Sequence, residues 1–217
     1  MVQKKKSAPE GATDGEPKRR GRPRAYEPEQ AIGQALALFR KGGLAATSLD
    51  DLSAATGMNR PSLYGAFGDK RALYLKTYQR YRDDYAAELV DTFKADIGVR
   101  ERLRRIYAVA LDIYLLGEAP RGCFTVMTVA SDAIADPEIR ALVLQGLEDV
   151  DKAFAKCFRT AIENGELPKS TDIAIRAQMA SATLFSVSIR ARAGIDRAEL
   201  EAIVSGAIDL LCPGAAN

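Results

Sequence analysis

A short segment that begins at Arg60 carries the side chains with the clearest potential for chemistry. Asn59 favours the start of a helix, because its side chain can accept a hydrogen bond from a free backbone N–H. Leu63 and Phe67 are four residues apart and share the inner side of that helix, which leaves Arg60 and Tyr64 nearer the outer side. A guanidinium can donate two hydrogen bonds to guanine O6 and N7, and an aromatic side chain can contact a thymine methyl or the phosphate backbone. The spacing therefore predicts a helix that presents basic and aromatic groups to the major groove of DNA.

A second predicted helix and a glycine turn position this segment. Ser48 suits the N-cap of the preceding helix, and Asp51 three residues later completes a capping box. Gly57 ends that helix, because only glycine adopts the left-handed conformation cheaply. Pro61 fits the first turn of the next helix, where no intrahelical N–H bond is lost. Two helices joined by a short turn, with a polar outer face on the second, are typical of a helix-turn-helix DNA reader.

The run TSLDDLSAATGMNRPSLYGAFGDKRAL resembles the DNA-binding signature of TetR/AcrR-type bacterial transcription regulators. The similar positions include Ser62-Leu63-Tyr64, Phe67 and Lys70, and the resemblance extends from Glu27 to Tyr81. It implies an all-α protein of about nine helices. A three-helix head with the helix-turn-helix is expected to precede a larger helical domain for ligand binding and dimerisation.

The resemblance also assigns roles to individual residues. Lys70 matches the family's phosphate-contacting lysine, and Thr47 and Ser48 lie at a helix start, where hydroxyls and free N–H groups suit phosphate. The outer face of the second helix is expected to make most of the remaining contacts with a double-stranded operator. The predicted DNA-binding residues are Arg22, Arg24, Thr47, Ser48, Arg60, Pro61, Ser62, Tyr64 and Lys70.

A basic arm is predicted at residues 1–24, ahead of the head. Residues 1–17 are polar with little to bury, which predicts a disordered tail. The Arg-Gly-Arg-Pro core around Arg22 and Arg24 resembles the centre of an AT-hook, whose slim backbone lets arginines enter a narrow minor groove. The alternative is a solvated tail with general attraction to phosphate.

Gly65-Ala66 departs from a common pattern of the family, in which a bulky residue or histidine stands there. Two small residues have little reach toward DNA. Arg60 and the arm are therefore predicted to carry more of the sequence selectivity.

The composition excludes several classes of protein. The 217 residues include no histidine, so neither a Ser-His-Asp nor a Cys-His catalytic set can form, and the commonest transition-metal ligand is missing. Cys123, Cys157 and Cys212 lack the CxxC spacing of zinc sites. No apolar run reaches the length of a membrane span, and no secretory signal follows the basic N-terminus. We expect a cytoplasmic protein that is not an enzyme and holds neither metal nor cofactor.

The distribution of charge separates the two halves of the chain. Residues 1–86 contain 16 Lys and Arg against 10 Asp and Glu, whereas residues 87–217 contain 15 against 19. A basic front end suits a nucleic-acid head on a body with another task. We predict the head at residues 25–72, a linking helix at residues 69–96, and the ligand-binding and dimerisation domain at residues 73–217.

Aromatic residues of the second domain could line an apolar pocket for an unidentified small-molecule effector. Most of them are expected to be ordinary core, and so is the aromatic stripe on the linking helix. The resemblance implies that Tyr81 and Tyr85 on this stripe pack against both domains. The acidic rear half hints at a neutral or cationic ligand, and the resemblance implies that the ligand tilts the linking helix and spreads the heads. The candidate ligand contacts are Tyr107, Tyr114, Cys123, Phe124, Met127, Phe158 and Phe185.

Cys123 supports an alternative function. It follows Pro120-Arg121-Gly122 and opens a predicted helix, and a nearby arginine and a helix N-terminus both favour a reactive thiolate. The resemblance extends to thiol-switch members of the family, so the alternative is a thiol- or electrophile-responsive regulator. A buried, inert cysteine is the simpler interpretation. An architectural DNA protein that uses only the basic arm is a third possibility.

The last two predicted helices, residues 171–193 and 196–211, carry many small side chains on long apolar faces. Small residues let helices approach closely. These faces could pack entirely into the subunit's own core, but the resemblance favours a four-helix interface between two subunits. A twofold dimer predicts a palindromic or nearly palindromic operator.

Overall fold

A computed structural model describes residues 27–117 and 122–213. Within these ranges the chain forms nine helices and no strand, which confirms the predicted all-α fold. The predictions for the N-terminal arm, including Arg22 and Arg24, lie outside the described residues. The helices are α1 Pro28–Ala46, α2 Leu49–Thr56, α3 Arg60–Phe67, α4 Lys70–Lys94, α5 Val99–Tyr114, α6 Phe124–Ser131, α7 Pro137–Glu163, α8 Ile173–Arg192 and α9 Arg197–Leu211.

The caps of the head are those predicted from the sequence. The Ser48 hydroxyl accepts from the Asp51 N–H, and the Asp51 carboxylate accepts from the Ser48 N–H, so the capping box is confirmed. Gly57 ends α2 with φ of 66° in the left-handed region. Asn59 caps α3 by accepting from the Ser62 N–H. These local bonds satisfy backbone donors that a helix start leaves free, and they fix the angle between α2 and α3.

A small apolar core holds the three helices of the head together. Phe39 of α1, Leu52 of α2, and Leu63 and Phe67 of α3 are all buried. The Phe39 ring also packs edge-on against Tyr74 of α4, with ring centroids 4.9 Å apart. The head therefore shares its core with the first turns of the linking helix, α4.

The end of α1 is interrupted where the head meets the second domain. Gly43 has φ of 74° and ψ of −176°, and the chain resumes a helical turn to Ala46. A Cβ on Gly43 would lie 3.1 Å from the Ser131 hydroxyl and 3.3 Å from the Asp132 carboxylate. Glycine is therefore required here both by the backbone conformation and by the close approach of α6.

The linking helix α4 serves both domains. The Asp69 side chain caps it by accepting from the Ala72 N–H. Its 25 residues rise roughly 37 Å. Tyr74 is buried near the head, whereas Tyr81 and Leu89 are buried toward the second domain. A rigid element of this length can carry a displacement from one domain to the other.

The far end of α4 is bonded by an arginine of α5. Arg102 is buried, although it belongs to a run of arginines of the kind that usually forms a solvated face. Its guanidinium donates to the carbonyls of Thr92, Phe93, Ala95 and Ile97, at 2.6 to 3.2 Å. These oxygens lie at the C-terminal end of α4, where helical carbonyls lack partners and the helix dipole is negative.

Helices α5 to α9 form the second domain around a mainly apolar core. Tyr107 of α5, Phe158 of α7, Leu184 of α8 and Leu200 of α9 are among its buried residues. The Tyr107 hydroxyl donates to the Ala180 carbonyl, which anchors α5 to α8. Among the described residues, no helix is both long and apolar enough to cross a lipid bilayer.

Candidate DNA interface and ligand cavity

The outer face of α3 presents the side chains predicted to contact DNA. Arg60, Pro61 and Tyr64 are exposed, and Ser62 is half-buried. Gly65 is exposed as well, and a Cβ placed on it would meet nothing within 4 Å. The backbone of α3 can therefore approach another surface closely at this point.

Arg60 is held by a carboxylate of the preceding helix. Its Nε lies 3.1 Å from Asp50 Oδ1, and its Nη2 lies 2.7 Å from both carboxylate oxygens. Both side chains are more than half exposed, so the pair is weak and can be exchanged for another partner. Asp50 thus orients the guanidinium without holding it tightly.

Lys70 and Ser48 reach the same surface, although part of their bonding capacity is used internally. Lys70 Nζ donates to the Leu44 and Thr47 carbonyls, both at 2.8 Å, which leaves one of its three N–H donors. Ser48, Arg60 and Lys70 line one depression of about 570 Å³ together with Tyr64. The structure thus brings these four predicted residues together.

Thr47, which was predicted to offer its hydroxyl to phosphate, does not present that hydroxyl at this surface. Its side chain is buried, and its hydroxyl donates to the Gly43 carbonyl at 2.7 Å. The hydroxyl therefore points into the protein and secures the break at Gly43.

Arg71 is a residue of this region that the sequence analysis missed. Its guanidinium pairs with Asp136, the N-cap of α7, and with Glu138. The guanidinium holds the pKa of the Asp136 carboxyl well below its usual range. The pairing attaches the start of α4 to the start of α7, and only the fold brings such distant residues together.

A cavity of about 460 Å³ lies in the second domain, mainly between α4 and α7. Its lining is largely apolar, and its volume falls within the usual range for small-molecule sites. The apolar lining residues are Ala86, Leu89, Val90, Phe93, Val150, Ala153, Leu184 and Phe185. The polar and charged lining comprises Tyr81, Arg82, Tyr85, Lys94, Tyr114, Cys123, Thr125, Asp149 and Lys156, with Gly146 beside them.

Three of the seven predicted ligand contacts, Tyr114, Cys123 and Phe185, line this cavity. The other four do not line it: Tyr107, Phe124, Met127 and Phe158. Of these, all but the half-buried Met127 are fully buried in the core.

The sequence carried a signal for the missed part of the cavity. Tyr81, Tyr85, Leu89 and Phe93 recur every four residues on one side of α4, and all four line the cavity. This spacing shows that the four side chains share a face. It does not show that the space opposite that face is partly empty.

Cys123 lies in the cavity wall as the N-cap residue of α6 and is buried. The Tyr81 hydroxyl lies 3.4 Å from its Sγ, and its backbone N–H donates to the Ser188 hydroxyl at 2.7 Å. Burial raises the pKa of the Cys157 thiol to about 11 and also raises the pKa of Cys212. A thiol with a raised pKa carries little of the nucleophilic thiolate at neutral pH, so Cys157 and Cys212 are expected to be unreactive.

Two contacts join the cavity wall to the head. Arg40 of α1 is buried, and its Nη2 donates to the Gly122 carbonyl at 2.8 Å and the Ile113 carbonyl at 3.1 Å. Its guanidinium also lies 5.5 Å from the centre of the Tyr81 ring. Gly122 precedes Cys123, so the end of α1 is bonded to the residue beside the cavity wall.

Asp132 at the end of α6 makes the second contact. Its buried carboxylate accepts from the Leu44 N–H at 3.2 Å and from the Tyr74 hydroxyl at 2.7 Å. The residues that flank α6 at its two ends are therefore hydrogen-bonded to α1, one on each side of the break at Gly43.

The outer faces of α8 and α9 carry large apolar side chains in solvent. Ile175, Met179 and Ile189 of α8 are each more than half exposed, and Leu210 of α9 is 84% exposed. Several of these residues line a shallow groove between the two helices. An apolar surface of this kind is typical of an interface with another protein.

Comparisons with known proteins follow the same division of the chain. Residues 31–77 match the model of bacterial regulatory proteins of the tetR family, and residues 99–206 match the model of the tetracyclin repressor-like C-terminal domain. A putative TetR transcriptional regulator from Rhodococcus sp. RHA1 is 32% identical, over 85% of this chain and 98% of its own, with a TM-score of 0.59. The chain belongs to the TetR family.

Two further relatives agree with this assignment. The transcriptional repressor ComR of Escherichia coli is 29% identical, over 89% of this chain and 92% of its own. A cysteine mutant of the TetR family regulator CifR, complexed with 26-bp operator DNA, is 26% identical over 86% of this chain and 98% of its own, with a TM-score of 0.80. This TetR-family chain is thus a DNA-binding transcriptional regulator and not an enzyme.

Proposed function

We propose that this TetR-family protein is a repressor that binds a palindromic operator as a dimer and releases it when a small molecule enters the cavity. The observation that carries the proposal is the bond from Arg40 to the Gly122 carbonyl. It joins the α1 end of the DNA head to the residue that precedes Cys123 in the cavity wall. A ligand that displaces this wall moves an element to which the head is attached.

Operator recognition is assigned to the outer face of α3. Arg60 exchanges its Asp50 partner for guanine O6 and N7, and Tyr64 contacts the backbone or a thymine methyl. Lys70 adds a phosphate contact through its remaining donor. Support comes from CifR, whose structure was determined with operator DNA.

Dimerisation is assigned to α8 and α9. Ile175, Met179 and Leu210 are exposed on these helices, and their burial against a second copy would remove them from water. A twofold axis there sets the separation of the two heads, so each reads one half of a palindrome.

Transmission is assigned to α6 and α4. The cavity touches α4 through Tyr81 and Tyr85 and touches the start of α6 through Cys123. A ligand that binds better when the wall is displaced shifts the molecule toward that conformation, and operator affinity falls by the same coupling free energy.

Selection of bound fragments from genomic DNA tests this function. We expect a palindromic consensus, a footprint that requires two copies of the chain, and fragments that small molecules can release. Binding without sequence preference and with a steep dependence on salt would instead support the architectural role.

Cys123 favours a second candidate, a regulator that responds to electrophiles. Its Sγ lies in the cavity wall beside the Tyr81 hydroxyl, so a reactive molecule in the cavity can reach it. The Cys123→Ser variant decides between the candidates. If release by electrophiles is lost while release by unreactive ligands is kept, the second candidate is supported. If release by electrophiles is unchanged, the second candidate is contradicted. Alkylation of Cys123 no faster than that of a free thiol contradicts this second function.

A further inference from the structure

The charges at the rim of the cavity are unbalanced. Lys94 of α4 and Lys156 of α7 are exposed lining residues, and neither has an ion-pair partner in the described part of the chain. The remaining charged lining residues, Arg82 and Asp149, pair with each other. Within the described part of the chain, the cavity mouth therefore carries two positive charges that no lining carboxylate balances, although residues 87–217 as a whole are acidic.

Both lysines lie at the same end of the cavity. Two contacts show how α4 and α7 run relative to each other. Tyr78 of α4 lies beside Gly146 of α7, where a Cβ would be 3.0 Å from the Tyr78 hydroxyl, and Arg82 pairs with Asp149 farther along. Residue numbers rise together in the two contacts, so the helices run in the same direction here. Lys94 is roughly three turns beyond Arg82 on α4. Lys156 is roughly two turns beyond Asp149 on α7. The two rises are about 18 Å and about 10 Å, so the lysines are offset by about 8 Å along the helices. Because lysine side chains are long and flexible, both can turn toward an anionic group between them.

The interior of the cavity offers a donor as well as apolar surface. The Tyr85 hydroxyl is buried and has no hydrogen-bond partner among the described residues. Buried polar groups in native proteins nearly always have partners. Since Tyr85 lines the cavity, an acceptor atom on a bound ligand can supply the missing partner.

A smaller apolar recess of about 40 Å³ extends the site. It is lined by Tyr85, Leu89, Phe93 and Val150, which also line the main cavity, and by the core residues Ile106 and Phe154. A ligand can therefore place an apolar end in the recess while its charged end stays at the rim.

We infer that the cavity binds an amphipathic monoanion, an apolar body that carries a single carboxylate or sulfonate. The anionic group lies between Lys94 and Lys156, and the body covers the face of α4 that contains Tyr85 and Phe93. A cation is repelled by the two lysines. This inference rests on the proposed ligand-binding role of the cavity.

A matched pair of fluorescent probes tests the inference. 1-Anilinonaphthalene-8-sulfonate carries one sulfonate, and N-phenyl-1-naphthylamine has the same aromatic body without the charge. At low salt we expect the full chain to bind the sulfonate about three- to tenfold more tightly than the neutral probe. The double variant Lys94→Gln/Lys156→Gln should bind both probes alike, with its affinity for the neutral probe unchanged.

A control variant separates the local effect from that of net charge. Lys41→Gln/Lys169→Gln also removes two positive charges, at exposed positions outside the cavity lining, and it should keep the preference for the sulfonate. Equal binding of the two probes by the unaltered chain, or a preference that survives in Lys94→Gln/Lys156→Gln, would overturn the inference. The probe titrations contain no DNA. A failure of ligand-induced operator release would therefore contradict the proposed function but would not affect the measured preference of the cavity for the anionic probe.

Discussion

We expect operator selectivity to depend on Arg60 more than on any other single residue. Its guanidinium is already oriented by Asp50, and at Gly65 of the same helix no side chain adds reach. A bidentate contact with guanine is worth about 1–3 kcal/mol of discrimination. The forked pairing with a carboxylate in the free protein resembles in geometry the fork that guanine accepts.

We therefore expect Arg60→Ala to weaken binding to the operator by about 1–3 kcal/mol and to relax selectivity at one base pair of each half-site. Titrations against operator and random duplexes measure both effects. Arg104→Ala removes an exposed arginine of α5 and should change neither. If Arg60→Ala weakens the two duplexes equally, Arg60 contacts phosphate instead of a base.

Local signals explain why the elements of the head were predictable and the cavity was not. Ser48, Gly57 and Asn59 act on backbone groups within four residues, so their types alone indicate where helices begin and end. Arg102 bonds the end of another helix, and the periodicity of α5 gives no sign of that partner. Likewise, Tyr107 and Tyr114 both face inward, but only the packing of α4 against α7 decides that Tyr114 reaches the cavity.

At the scale of elements, Arg40 makes the connection between α1 and α6 testable. Arg40→Met removes the donors to Ile113 and Gly122, and since each bond to a charged group is worth about 1.5–3 kcal/mol, we expect a loss of at least about 2 kcal/mol of stability. Amide hydrogen exchange around the α1 break, residues 40–47, should become faster. Operator affinity should fall about tenfold, because the position of the head is no longer fixed.

Arg102→Met is the matched control for this variant. It also removes a buried arginine that donates to carbonyl oxygens, but at the end of α4 away from the head. Its stability should fall by a similar amount while exchange in residues 40–47 and operator affinity stay unchanged. Equal loss of affinity in both variants would mean that general stability, and not the contact between α1 and α6, controls the head.

The whole molecule has one core that runs from the head through α4 to α9, and tyrosines occupy much of it. Phe39, Tyr74 and Phe124 form a continuous edge-to-face series between the head, α4 and α6. Loss of packing at any of these rings should therefore destabilise both domains. A perturbation that charges the buried tyrosines should unfold the protein as one unit.

High pH is such a perturbation. Burial is the largest cause of a raised pKa for six tyrosines: Tyr74, Tyr78, Tyr81, Tyr85, Tyr107 and Tyr114. Their pKa in the unfolded chain is about 10, so the stability that their neutral forms provide is complete below about pH 10 and is lost as pH rises above it. Each tyrosine lowers the free energy of unfolding by up to about 1.4 kcal/mol per pH unit in that range.

We expect the urea midpoint, followed by circular dichroism, to stay level toward about pH 9 and to fall steeply above about pH 10. Most tyrosinate absorbance should appear together with the loss of helix. The Tyr85→Phe variant removes a buried hydroxyl that has no partner among the residues the structure describes, so it should gain about 1 kcal/mol at neutral pH and show a shallower alkaline slope. Tyrosinate that forms gradually while the helices stay intact would show that the six rings are open to solvent and that the shared core does not couple the two domains.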